Sequence, residues 1–173
     1  MKQRLIILSD LWGQQKSQWV EHYQKLLEDF FDITFYDCCE LGKINKLPYE
    51  EKALHKQFVA EGIDTAVKNL LAAEPEKVTV LAFSIGGAIA WKAAMQSLRF
   101  ESMHLVSATR LREEERKPLG RISLYYGKED SNKPDQSWVS KMNLRTDLIP
   151  EAGHGFYTTA EFAKYLSGKI LNN

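Results

Sequence analysis

Residues 78–90 read Val78-Thr79-Val80-Leu81-Ala82-Phe83-Ser84-Ile85-Gly86-Gly87-Ala88-Ile89-Ala90. The first six are β-branched or apolar with one threonine, the composition of a strand buried on both faces. From Ile85 the pattern predicts a helix over Ile85–Ser97, and no spacer separates helix from strand. The chain must therefore turn sharply at Ser84. A turn this tight crowds the neighbouring backbone, which accounts for the small residues Ala82, Gly86 and Gly87. It also sets Ser84 at a helix N-terminus, where free N–H groups and the helix dipole favour developing negative charge. A purely structural role stands beside this one: Ser84 capping the helix, with the glycines allowing close helix–sheet packing.

Working outward, short apolar runs alternate with longer helical patterns. Upstream, Leu5–Leu8 predicts a buried strand, 17–31 a helix in which Trp19, Val20, Tyr23, Leu26, Leu27 and Phe30 repeat at helical spacing, and Asp32–Tyr36 a second strand. Residues 49–73 predict a helical stretch with Leu54, Phe58, Val59, Ile63, Val67, Leu70 and Leu71 on one side. Gly62 is expected to divide it in two. Downstream, His104–Ser107, Ile122–Tyr126 and Thr146–Ile149 predict strands. A final helix is expected over Thr158–Leu171, with Phe162, Tyr165, Leu166 and Ile170 inward. The alternation predicts an α/β fold: an open, mostly parallel sheet of about six strands with helices on both faces. Ligands are expected beyond the carboxyl ends of the strands.

The 173 residues fit one domain spanning 1–173, and nothing Pro/Gly-rich or repetitive divides it. Lys plus Arg and Asp plus Glu are both 23, so no net field draws in nucleic acid or an anionic membrane surface. The apolar run near the start is too short for a signal-peptide core or a membrane span, which predicts a cytoplasmic protein. Cys38 and Cys39 are adjacent and cannot staple distant segments, so the expectation is two buried or half-buried thiols at a strand end. No Cys/His cluster or HExxH pattern suggests a metal, and neither G-x-G-x-x-G nor a P-loop follows the first strand.

A nucleophilic hydroxyl needs a base, and the base needs an orienting acid. His22 and His55 lie in helical patterns and His104 inside a strand, where packed or surface roles are ordinary. His154 sits in the glycine-flanked loop Pro150-Glu-Ala-Gly-His154-Gly-Phe156, just past the last strand. For the acid, Tyr125-Tyr-Gly127-Lys-Glu129-Asp130 follows the penultimate strand and offers two carboxylates. The preceding strand end, Val106–Thr109, offers none.

The order Ser84, Asp130, His154, each after a strand end, resembles the α/β-hydrolase superfamily over essentially Leu5–Leu171. In that family the acid commonly stands in Gly-x-x-Asp, which Gly127-Lys-Glu-Asp130 matches and which favours Asp130 over Glu129. The family's first strand usually runs into His-Gly-x, and the N–H of x helps bind the oxyanion. Here Leu8-Ser-Asp10-Leu11-Trp12-Gly13 keeps the strand, turn and Trp-Gly but has Asp10-Leu11 for His-Gly. The resemblance thus implies the N–H of Trp12, preferred, or of Leu11 as one oxyanion donor, and that of Ile85 as the other. The family's two leading strands are absent. Only Ala108–Gly120 stands where many relatives insert a helical cap, so a minimal, capless form of the fold is expected.

The implied activity is a serine hydrolase cleaving a small carboxylic ester or thioester through an acyl-enzyme on Ser84, with no cofactor or metal. Leu11, Trp12, Phe83, Ile85 and Phe156 are expected to line a shallow, mostly apolar substrate pocket. A homodimer, with a second copy covering that cleft, is left open. The charged stretch Thr109–Pro118 is expected to be a solvated loop, with basic residues that could instead meet an acidic substrate. The competing reading is a catalytically inactive module of the same fold that binds a ligand or a partner.

Overall fold

The computed structural model describes residues 2–172. Six strands, β1 (Gln3–Leu8), β2 (Phe31–Tyr36), β3 (Val78–Phe83), β4 (Phe100–Val106), β5 (Arg121–Gly127) and β6 (Arg145–Ile149), form one sheet in the order β2-β1-β3-β4-β5-β6. Every pairing is parallel. Among the described residues the α-helices are α1 (Val20–Leu27), α2 (Cys38–Leu41), α3 (Glu51–Gln57), α4 (Ile63–Ala73), α5 (Ile85–Gln96), α6 (Gln136–Lys141) and α7 (Ala160–Leu171).

Alternation along the strands sends side chains into two cores. Ile6, Leu8, Val80 and Ala82 pack on one face with residues of α2 to α6, whereas Leu5, Ile7, Leu81 and Phe83 pack on the other with α1 and α7. All six residues of β3 are buried, as its uninterrupted apolar composition demands. The predicted α/β sheet, helices on both faces and missing cap are what the chain adopts. Among the described residues, Ser107–Gly120 adds only one 3₁₀ turn, Leu111–Glu113.

Some details differ from the sequence-based expectation. The stretch divides into α3 and α4 as expected, but through a π-helical turn, Phe58–Gly62, that ends on Gly62 and keeps the two continuous rather than through a break at the glycine. A Cβ on Gly62 would lie 2.5 Å from Ile44 Cδ1, so close packing accounts for the glycine. The wider turn rotates its residues relative to the flanking helices, and Val59, expected inward, is exposed. Helix α1 stops at Leu27, leaving Phe30 exposed in the following turn; Leu26 and Tyr165 are also exposed. Cys38 and Cys39 are buried free thiols that open α2 directly after β2.

The strand order places the site. From β1 the chain moves out to the edge strand β2, then returns past β1 to build β3 to β6 on its other side. The direction of winding reverses between β1 and β3, and such a switch point opens a crevice at the carboxyl ends. The segments leaving β1 and β3 are Ser9–Gly13 and Ser84–Ile85.

Candidate active site

Ser84 links β3 to α5 with φ 50° and ψ −117°, a conformation that side-chain-bearing residues rarely adopt. The surroundings hold it there. Ser84 N–H donates to Val106 O at 2.9 Å, while Ser84 O accepts from Gly87 N–H at 3.0 Å and Thr109 N–H at 3.1 Å. A Cβ on Gly86 would lie 2.5 Å from Ser9 O, and one on Gly87 would collide with Ala108. The small residues of the motif thus permit close approach to the ends of β1 and β4. The serine side chain caps nothing in α5, so the capping role does not explain it.

Ser84 Oγ lies 2.9 Å from His154 Nε2, and His154 Nδ1 lies 2.8 Å from Asp130 Oδ2. The three residues, 70 and 24 positions apart in sequence, form one continuous chain of hydrogen-bonding groups. Asp130 is 1% exposed, and its other oxygen accepts from Asn132 N–H at 2.9 Å. Burial pushes this carboxyl up, but the hydrogen bonds from His154 and Asn132 outweigh it and hold it below its usual range. Glu129 is exposed; its N–H donates to Ala152 O at 3.0 Å. That bond, with the tight approach of Gly127 to the backbone of Ala152 and Gly153, ties the acid loop to the histidine loop. Ser107, which the sequence reading passed over, adds a bond from its hydroxyl to His154 O at 2.7 Å.

Solved structures with the same architecture are numerous. A protein of the alpha/beta hydrolase superfamily from Xanthomonas campestris pv. campestris superposes with TM-score 0.70 and 16% identity, covering 99% of each chain. Est1E from Butyrivibrio proteoclasticus gives 0.68 at 12% identity, covering 99% of this chain and 88% of its own. The esterase domain of a Rhodothermus marinus protein gives 0.64 at 11%, covering 97% and 85%. This chain has the α/β-hydrolase fold. No protein-family model matches the sequence, and no curated protein does.

Within the α/β-hydrolase fold the residues after β1 differ from the expected arrangement. Trp12 N–H, the preferred oxyanion donor, is occupied: it donates to Asp10 Oδ1 at 2.9 Å. Asp10 folds its carboxylate back over the turn, a two-residue loop characteristic of aspartate. Among the described residues nothing accepts from Leu11 N–H, the other donor that the resemblance implied. Asp10 itself is 4% exposed, and its second oxygen accepts from Tyr157 O–H at 3.0 Å.

The expected pocket lining also divides. Phe83 and Ile85 are buried in the two cores: Phe83 sits among Trp19, Tyr23 and Tyr157, and Ile85 on the opposite face. Both flank Ser84, which is itself only 2% exposed. Leu11 and Trp12 are half-buried, and Trp12 packs edge-on against Tyr49 with the Lys16 ammonium 3.8 Å from its ring centre. Phe156 borders a groove of about 440 Å³ with Ile149, Pro150, Phe162 and Tyr165. In the charged 109–118 stretch Arg110 pairs with Glu113, while Glu114 pairs with Lys92 of α5 and Arg112 reaches Ser131 O. Among the described residues no cluster of His, Cys, Asp and Glu could hold a metal ion, and no helix is long and apolar enough to cross a membrane.

Proposed function

We propose that this protein is a serine hydrolase that cleaves a small carboxylic ester or thioester. The observation that carries the reading is the unbroken Ser84–His154–Asp130 chain at a strained strand-to-helix turn. His154 Nε2 takes the Ser84 proton as Oγ attacks the acyl carbonyl, and Asp130 stabilises the imidazolium that forms. The N–H groups of Ile85 and Leu11 receive the negative oxygen of the tetrahedral intermediate. That intermediate collapses to an acyl-serine as His154 returns its proton to the departing alcohol or thiol. Water, deprotonated by His154, then attacks the acyl-serine and regenerates Ser84 with release of the acid.

The half-exposed His154 and the missing cap favour small acyl and alcohol groups over long chains. A long alkyl chain would leave much of its apolar surface wet, forgoing about 25 cal/mol for each Å². Est1E has been solved with ferulic acid bound, so a hydroxycinnamate ester belongs in the substrate panel. The test is hydrolysis of acyl esters and thioesters of graded length, together with fluorophosphonate labelling. Ester turnover that vanishes in a folded Ser84→Ala, with labelling lost in parallel, is the expected result. A wild-type protein that neither labels nor turns over any member supports the non-catalytic module instead.

A further inference from the structure

The hydrolase reading uses Ser84, His154 and Asp130 but leaves one buried carboxylate beside them unexplained. Asp10 follows β1, accepts from Trp12 N–H and Tyr157 O–H, and among the described residues reaches no basic partner in direct contact. A buried carboxylate satisfied by neutral donors alone is costly to keep ionised. Burial accordingly raises the Asp10 carboxyl above its usual range, while the two hydrogen bonds and the nearby charge of His154 oppose that rise. The groups within electrostatic reach come from several elements: His154 and Tyr157 from the loop after β6, Asp37, Cys38 and Cys39 from the start of α2, and Tyr49 before α3. Among these, His154 is the one that acquires positive charge during acyl transfer.

Tyr157 joins the two sides of this arrangement. Its hydroxyl donates to Asp10, its ring meets the His154 ring edge-on at 6.1 Å, and its carbonyl accepts from Tyr23 O–H at 2.6 Å. On the other side, Asp10 consumes the Trp12 N–H and leaves the Leu11 N–H uncommitted. That loop is fastened again by Gln14 N–H to Asp37 at 2.9 Å and by Tyr49 O–H to Trp12 O at 2.5 Å.

We propose that Asp10 is a positioning residue of this site, holding the loop after β1 through Trp12 N–H and the loop that carries His154 through the Tyr157 hydroxyl. The proposal rests on the serine-hydrolase reading for its catalytic consequence, but the tie between the two loops can be measured without turnover. Asp10→Asn keeps an acceptor for Trp12 N–H and a polar partner for Tyr157, whereas Asp10→Leu removes both; Tyr157→Phe cuts one side of the tie alone. With p-nitrophenyl acetate, kcat should fall about tenfold in Asp10→Leu while KM stays within about threefold, and Asp10→Asn should restore most of the loss. By NMR, the backbone amides of both loops, Trp12 and His154 included, should shift together in folded Asp10→Leu and stay near wild type in Asp10→Asn. Unshifted amides in folded Asp10→Leu and Tyr157→Phe overturn the proposal, as does an unchanged kcat of Asp10→Leu in an active background. If the wild type hydrolyses no ester, the hydrolase reading has failed, and the amide shifts alone still decide whether Asp10 holds the two loops.

Discussion

Two carboxylates follow β5, and the residues around them separate their fates. Asp130 turns inward to His154 Nδ1 and to Asn132 N–H, whereas Glu129 is exposed and uses only its backbone to reach Ala152. Replacing Asp130 by Asn keeps the shape but lets the amide donate, so the imidazole is held in the wrong tautomer. By the serine-protease precedent, Asp130→Asn should lower kcat by ~10⁴-fold while leaving the fold intact. Glu129→Gln should stay within about twofold, as exposed substitutions usually do. Steady-state kinetics on one activated ester decide the matter: a crippling Glu129→Gln with a mild Asp130→Asn would reverse the assignment. At this scale the sequence carried Ser84, His154 and the choice between two acids, because each follows a strand and sits among small residues. The role of Asp10 was not legible. Its partner Tyr157 lies 147 residues away, and a carboxylate that caps a buried turn looks, in sequence, like one facing water.

At the scale of elements, the elbow depends on how closely α5 can approach the end of β1. Gly86 is the contact point: a methyl group there would sit 2.5 Å from Ser9 O, a backbone atom that cannot swing aside. Gly86→Ala should therefore cost about 1–3 kcal/mol of stability, in the range of core overpacking, and also displace Ser84 from His154. Gly153→Ala is the control, since a Cβ there meets nothing within 4 Å. Thermal unfolding and ester turnover should both drop for Gly86→Ala and stay near wild type for Gly153→Ala; equal effects would remove the elbow from the explanation. The elements around this point were legible where composition was strong, as in β3, whose bounds Val78–Phe83 match the apolar run. They were not legible where helices are shorter than the window periodicity needs. The four-residue α2 and six-residue α6 went unread, although Asp37 and Asp135 cap them in the way a sequence can announce. The first half of β4, Phe100–Met103, mixes polar and apolar residues at the sheet's lower end and gives no clean period.

For the whole molecule, alternating strand and helix patterns implied parallel pairing because crossover helices must return the chain to the same edge. The position of β1 between β2 and β3 does not follow from that alternation, since either side of the first strand is equally reachable by a short crossover. The assembled sheet creates one property that no local stretch carries: His104, inside β4, is sealed at 1% exposure with its Nδ1 3.1 Å from the Tyr125 hydroxyl. Burial, aided by the positive charge of Arg121, pulls its pKa from 6.5 down to about 4. Above pH 6.5 the ring is neutral in folded and unfolded chains alike, and its titration does not affect stability. Below that value the unfolded chain takes up a proton that the folded chain refuses, so stability is lost as pH falls from 6.5 toward about 4. The loss amounts to about 3 kcal/mol over this window, or very roughly 10 °C in Tm for a chain of this length. A second decline should begin below 4.5, where Glu74, held down by Arg4 and Tyr36 against its burial, starts to be protonated on unfolding. His104→Gln retains a partner for Tyr125 and removes only the His104 contribution, so its Tm should fall less than that of wild type between pH 6.5 and about 4. The advantage of wild type over the variant should shrink across that window and then stay constant. Circular-dichroism melts at half-unit pH intervals provide the comparison, and wild-type and variant profiles that run parallel across the first window would show that His104 is not kept neutral by its burial.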